Sequence, residues 1–191
     1  WMYDADFEFL NAKHITKIVI GGKRSEDFYL RLLLAGVPKE KLVYEKMNGK
    51  TYMPKILEIN EKSRKIEIEK LTAPNLYDYV MSNNKIPYYL LNSLKKIRLD
   101  LLENGFYDYG DFFKLDHIFI DKVSNSAETM GVRIIDFDRC DKINKDQYNC
   151  IKEKIEEDFD KLNKDKSKFD QTFGSCFTKD VIDDFFMNKD K

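Results

Sequence analysis

Carboxylates are the side chains of this 191-residue chain best placed to do chemistry. The run Ile134-Ile135-Asp136-Phe137-Asp138 sets two of them directly after an apolar stretch, where a buried strand ends and side chains emerge at the rim of a core. Asp108, Asp111 and Asp116 gather upstream, ahead of a second apolar stretch at 117–120. Taken singly, each of these aspartates reads as a turn cap. Taken together, two acidic turns brought face to face by a hairpin repel one another and call for a counter-cation. Hard oxygen donors suit magnesium, which takes one or two protein carboxylates and completes its sphere with water and phosphate oxygens. Phe112, Phe113, Leu115, Ile118 and Phe119 supply the apolar anchors that hold charged groups in fixed geometry.

Other chemistries have less to draw on. The two histidines, His14 and His117, are too few for a histidine-rich metal centre. Cys140, Cys150 and Cys176 are odd in number and lack CxxC spacing, which argues against a disulfide framework and a structural zinc site and leaves buried or idle thiols. Thirty-three basic residues nearly cancel 34 acidic ones, so no global field favours nucleic acid or anionic lipid. Lysines are interleaved with acids rather than gathered on an aromatic-rich face, and no nucleic-acid partner is expected. With 42% apolar and 14% aromatic residues the chain can build a core, and 35% charged residues exclude a membrane bundle. No stretch approaches the roughly 18 apolar residues of a membrane span, and no basic-then-apolar signal pattern opens the sequence. A soluble cytoplasmic protein of one domain is the expectation.

The elements that must position the carboxylates follow from periodicity. Strands are expected at 7–10, 15–20 and 28–34, a short helix from Pro38 to a stop at Asn48-Gly49, and a hairpin of 52–59 with 63–71, in which Ile66 and Ile68 alternate with Glu67 and Glu69. The segment 28–34 also fits a helix capped by Ser25, with the neighbouring strands favouring sheet. Thr72-Ala73-Pro74-Asn75 breaks the pattern and divides residues 1–71 from a mainly helical 72–191. Leu90, Leu94, Ile97 and Leu101 form one apolar stripe ending at Asn104-Gly105. Short strands are expected at 117–120 and 132–135, joined by a polar turn. Tyr148, Ile151, Ile155, Phe159 and Leu162 form a second stripe, 163–168 a solvated charge run, and 181–186 a last helix.

Gly105-Phe106-Tyr107-Asp108-Tyr109-Gly110-Asp111, an apolar strand and Ile-Ile-Asp-Phe-Asp in that order resemble the catalytic loop and metal-binding segment of the protein-kinase-like superfamily. The similarity is to its small atypical branches: RIO kinases, Kdo and lipopolysaccharide-core sugar kinases, and choline or aminoglycoside kinases. It implies an α+β, two-lobed fold in one domain, with a five-stranded antiparallel sheet and one helix as nucleotide cover in 1–71 and a reduced helical lobe in 72–191. It further implies Asp111 as catalytic base and Asp136 as magnesium ligand. The second metal position falls on Asp116, or on His117 after a one-residue shift, and ligand hardness favours Asp116. Tyr29-Leu30-Arg31-Leu32 resembles the family's phosphate-holding strand with Arg31 in place of lysine, and Tyr44-Glu45 its pairing glutamate. Glu69 and Leu71 fall where the adenine-binding hinge would run.

The resemblance therefore implies an ATP- and Mg2+-dependent transfer of the γ-phosphate to an unidentified hydroxyl-bearing acceptor, with ATP as partner. Tyr109 stands where the family has histidine, so the alternative is a pseudokinase-like module that binds nucleotide or protein without catalysis. A dehalogenase-like phosphatase using Asp136 and Asp138 is disfavoured because most strands precede that motif. Gly21-Gly22-Lys23-Arg24 is a plain turn rather than a phosphate loop.

Overall fold

The computed structural model describes residues 16–19, 28–33, 37–60, 65–69, 71–108, 112–121, 131–137 and 139–190. Strand-forming alternation produces β1 (Thr16–Val19) and β2 (Phe28–Leu33) before helix α1 (Val37–Met47), and β3 (Ile56–Asn60) and β4 (Lys65–Glu69) after it. These strands make one antiparallel sheet in the order β1-β2-β4-β3. Strand β4 is interior: its Glu69 lies opposite Phe28 of β2 and its Lys65 opposite Asn60 of β3. The reading of 28–34 as sheet rather than capped helix is thus the one realised.

Among the described residues the single five-stranded sheet of a two-lobed kinase-like fold is not present. Its first expected strand, 7–10, lies outside the described residues, and the strands that are described divide among three separate sheets, one of four and two of two. The small sheets pair β5 (Phe106–Asp108) with β8 (Cys140–Lys142), and β6 (Ile118–Ile120) with β7 (Val132–Ile134). Strands β5 and β6 are three residues long and buried at every position, and each pairs with one short partner inside the helical half.

Around them stand α2 (Leu76–Asn83), α3 (Leu90–Glu103), α4 (Lys145–Lys164), α5 (Lys166–Thr172) and α6 (Lys179–Asn188). Asn75 caps α2 by accepting a hydrogen bond from the Asp78 N–H at 2.8 Å, which explains the break in pattern at 72–75. The α3 stripe of Leu90, Leu94, Ile97 and Leu101 is wholly buried, and Gly105, at φ 87°, turns the chain out of the helix while its N–H bonds Leu102 O at 2.9 Å. The stretch 163–168 is solvated, exposed from 164 to 168, and it also carries a helix junction. Asp165 accepts from the Ser167 and Lys168 N–H groups and starts α5, whose Phe169 is fully buried with ring centroids 4.7 Å from Phe173 and 5.2 Å from Phe185.

Strand β7 enters its hairpin against an aromatic wall. A Cβ on Gly131 would lie 2.7 Å from the Tyr89 ring, so no larger residue fits there without displacing it. The Asp121 N–H bonds Gly131 O at 3.0 Å and closes the base of the connection between β6 and β7. No helix among the described residues is long and apolar enough to cross a membrane.

Polar contacts lock the strand-rich part to the helical part. The Tyr52 hydroxyl donates to Asp100 Oδ2 at 2.7 Å and the Lys50 ammonium to Asp100 Oδ1 at 2.9 Å, both reaching α3 from the segment before β3. Burial first, and the Asp100 carboxylate second, push the Tyr52 phenol far above its ordinary range, so it stays a donor at every working pH. Ile134 N–H bonds Tyr52 O at 2.9 Å, tying β7 to the same segment. Hydrogen bonds to a charged acceptor contribute roughly 1.5–3 kcal/mol. Tyr52→Phe is expected to lose about 1.5 kcal/mol in urea unfolding, the low end because Lys50 still meets Asp100; an unchanged midpoint would remove this contact from the account.

Candidate functional site

The β6–β7 hairpin brings the segment before β6 and the segment after β7 together. Ile118 lies opposite Ile134, and beyond that pair the Ile135 N–H bonds His117 O at 3.1 Å, so the residues just outside the strands stay in register. His117 Nε2 is 3.2 Å from Asp136 Oδ2 and 3.8 Å from Asp116 Oδ1. His117 and Asp136 are buried, at 7% and 8% exposure, whereas the Asp116 side chain is 72% exposed. The other imidazole nitrogen, Nδ1, is buried and has no hydrogen-bond partner among the described residues.

The Asp136 backbone sits at φ 72°, in the left-handed region that disfavours most side chains and is tolerated best by glycine, then by asparagine and aspartate. The kink throws Phe137 inward, where its ring meets Tyr44 of α1 edge-on at 5.6 Å. The Phe137 N–H points to Glu40 Oε1 at 3.4 Å, and Glu40 is fully buried. Strain held at a buried carboxylate by packing on both sides is the local feature that best marks a working site.

Among the described residues no group of three or more His, Cys, Asp and Glu side chains is arranged to hold a metal ion. The pair Asp136 and Asp116, sharing one imidazole nitrogen as neighbour, matches the sparser mode in which magnesium uses one or two carboxylates and takes its remaining oxygens from water and phosphate. The described residues form no closed protein cage, and the two carboxylates nearest His117 are Asp136, buried, and Asp116, exposed.

Of the residues singled out from the sequence, Asp136, Asp116 and His117 are brought together. Asp111 and Asp138 lie outside the described residues. Arg31 is in β2 opposite Ile18 and Ile66. Glu45 is on the exposed side of α1, 3.6 Å from Lys41, away from the Asp136 turn. Glu69 accepts from Arg133 at 2.6 Å and from Lys55 N–H at 2.8 Å, and Leu71 is buried just past β4. Asp108 is not in an acidic loop but in β5, buried, where the Cys140 thiol donates to it at 3.8 Å.

Sequence reasoning passed over Glu40. The signal was present: Glu40, Val43, Tyr44 and Met47 fall at i, i+3, i+4 and i+7, placing a carboxylate on the buried stripe of α1, whereas Glu45 is off it. Arg98 was passed over in the same way. It follows Ile97 on α3, is 7% exposed, and donates from Nη2 to the Tyr107 hydroxyl at 2.9 Å and to Asp108 O at 3.1 Å.

The family described as MurT ligase C-terminal matches residues 1–73, less than half of the chain. No curated protein matches the sequence. The family match and the division of the strands into three sheets correct the earlier expectation. Membership of the protein-kinase-like superfamily is not supported, because the part of the chain read as its nucleotide-covering lobe matches a ligase family instead. A kinase mechanism, with γ-phosphate passing to a hydroxyl acceptor, falls with it, as does the pseudokinase alternative, which presupposed the same fold.

Two outcomes test the local geometry. Asp136→Gly is expected to be more stable than Asp136→Ala by about 1 kcal/mol, since both lose the carboxylate and only alanine keeps the left-handed penalty; equal thermal midpoints would show no strain at this position. Burial, reinforced by Asp108 and Glu40, holds the Cys140 thiol well above its usual range, while Cys150 and Cys176 are exposed. A thiol-reactive dye is expected to label Cys150 and Cys176 in the native protein and Cys140 only after denaturation.

Proposed function

We propose that this chain binds a magnesium-bound nucleoside triphosphate, ATP in the first instance, at the Asp136 turn and serves an ATP-dependent ligase-type reaction. The observation that carries the nucleotide part is the buried, left-handed Asp136, held 3.2 Å from His117 beside the exposed carboxylate of Asp116. The ligase part leans on the match of residues 1–73 to a family whose description is MurT ligase C-terminal. Ligases join two molecules at the expense of nucleotide cleavage.

In this reading Asp136 and Asp116 would hold the ion, with water and phosphate oxygens completing its sphere. Bound there, magnesium would neutralise phosphate charge as a Lewis acid. His117 Nε2 stands 3.2 Å from Asp136 Oδ2 and would steady the carboxylate from the side away from the ion. Glu40 and Phe137 hold the turn itself, which keeps the carboxylate in place between events.

A fluorescent ATP analogue titrated with and without Mg2+ tests the binding step. Saturable, magnesium-dependent binding that weakens at least tenfold in Asp136→Asn, with the circular dichroism spectrum retained, is the expected result; no binding to the unaltered chain overturns the site. The reaction class is read separately. ADP release that requires a carboxylate and an amine together supports ligase-type chemistry, and ADP release with alcohols alone overturns it.

A further inference from the structure

Arg98 is a buried cation whose charge no described residue answers. Its Nη2 hydrogens go to two neutral acceptors, the Tyr107 hydroxyl and Asp108 O. Its Nε is buried without a hydrogen-bond partner, and no carboxylate forms an ion pair with the guanidinium among the described residues. Three rings surround it instead, with the guanidinium carbon 4.8 Å from the centroid of Tyr107, 5.2 Å from Phe112 and 5.4 Å from Phe113. Aromatic faces offset part of the cost of desolvating a cation. A buried charge is normally met by an opposite charge as well, because removal from water is expensive.

The counter-charge has room to arrive from solution. Arg98 lines a cavity of about 260 Å³ between α3, α4 and α5, open to solvent, with Lys154 and Lys168 at its mouth and Thr172 beside them. Two carboxylates share the lining, Asp108 and Asp158, against the three cations Arg98, Lys154 and Lys168. Among the described lining residues the surplus is one positive charge, which a singly charged anion balances and a doubly charged one exceeds. The ring faces of Tyr107, Phe112 and Phe113 suit an apolar body attached to that anion.

We propose that this cavity binds a small carboxylic acid with an aromatic or otherwise apolar body, its carboxylate on Arg98. The site uses no residue of the Asp136 turn and stands whether or not nucleotide binds there. With both Nη2 hydrogens engaged and Nε shut off from solvent, the carboxylate is met at Nη1, through a single charge-assisted hydrogen bond rather than a two-pronged one.

Isothermal titration of the full chain with benzoate and phenylacetate tests it, with phenyl phosphate and sodium chloride at equal ionic strength as comparisons. The expected result is saturable binding of at least one carboxylate, weakened tenfold or more in Arg98→Met and about threefold in Lys168→Met, and unchanged in Asp136→Asn. Lys168 is exposed, so its variant keeps the fold even if the Arg98 variant does not. Absence of saturable carboxylate binding to the unaltered chain overturns the proposal, as does equal binding by the unaltered chain and both cavity variants. Phenyl phosphate binding more tightly than either carboxylate overturns the assignment of a singly charged ligand.

Discussion

Burying a carboxylate is unfavourable unless hydrogen bonds or opposite charge meet it, and the Asp136 turn is organised by that constraint. The residue lies at the end of β7 in a backbone conformation with a steric penalty of its own, yet it is 8% exposed. What holds it is a two-sided clamp. On one side the β6–β7 hairpin presents His117 at 3.2 Å, through a ladder that continues to the His117 carbonyl. On the other, Phe137 is anchored by the Tyr44 ring and faces Glu40 with its N–H. Helix α1 and the hairpin are distant in sequence, so the turn keeps its shape only when the strand-rich and helical parts are both in place.

A second buried charge is handled differently. Arg98 is bracketed by rings and neutral acceptors, and Asp108, its neighbour through the backbone carbonyl, faces the Cys140 thiol instead. The two buried polar centres thus lie on opposite strands of logic: one closes on itself through an imidazole and a strained turn, the other opens into a cavity. Strands β5 and β8 hold Asp108 and Cys140 as a matched pair in register.

How much of this was legible in the sequence depended on the length of each element. Helices α3 and α4 carry repeated apolar stripes, and their cores fall where the periodicity of Leu90 to Leu101 and Ile151 to Leu162 puts them. The hairpin around Ile66 and Ile68 was equally plain, because two alternations survive a one-residue error in the boundary. Strands β5 and β8 are three residues long, and nothing periodic can be read from three residues. Helix α5 was hidden because Phe169 is its only buried residue among polar neighbours; the Asp165 cap was the available sign. Within the site, the grouping of Asp116, His117 and Asp136 followed from a predicted hairpin, whereas Glu40 and Arg98 were obscured by the habit of assigning charged residues on amphipathic helices to the surface. The larger error was to let an order of motifs stand for a family, when loop chemistry of this kind recurs on unrelated folds.

The pinned base of the β6–β7 hairpin has a consequence for variation in the chain. Asp121 and Gly131 are joined by a main-chain hydrogen bond, and Tyr89 bears on both, its ring against Gly131 and its hydroxyl 3.5 Å from Asp121 O. A substitution at Tyr89 would therefore be felt at both strand ends, and through β7 at the turn two residues past it.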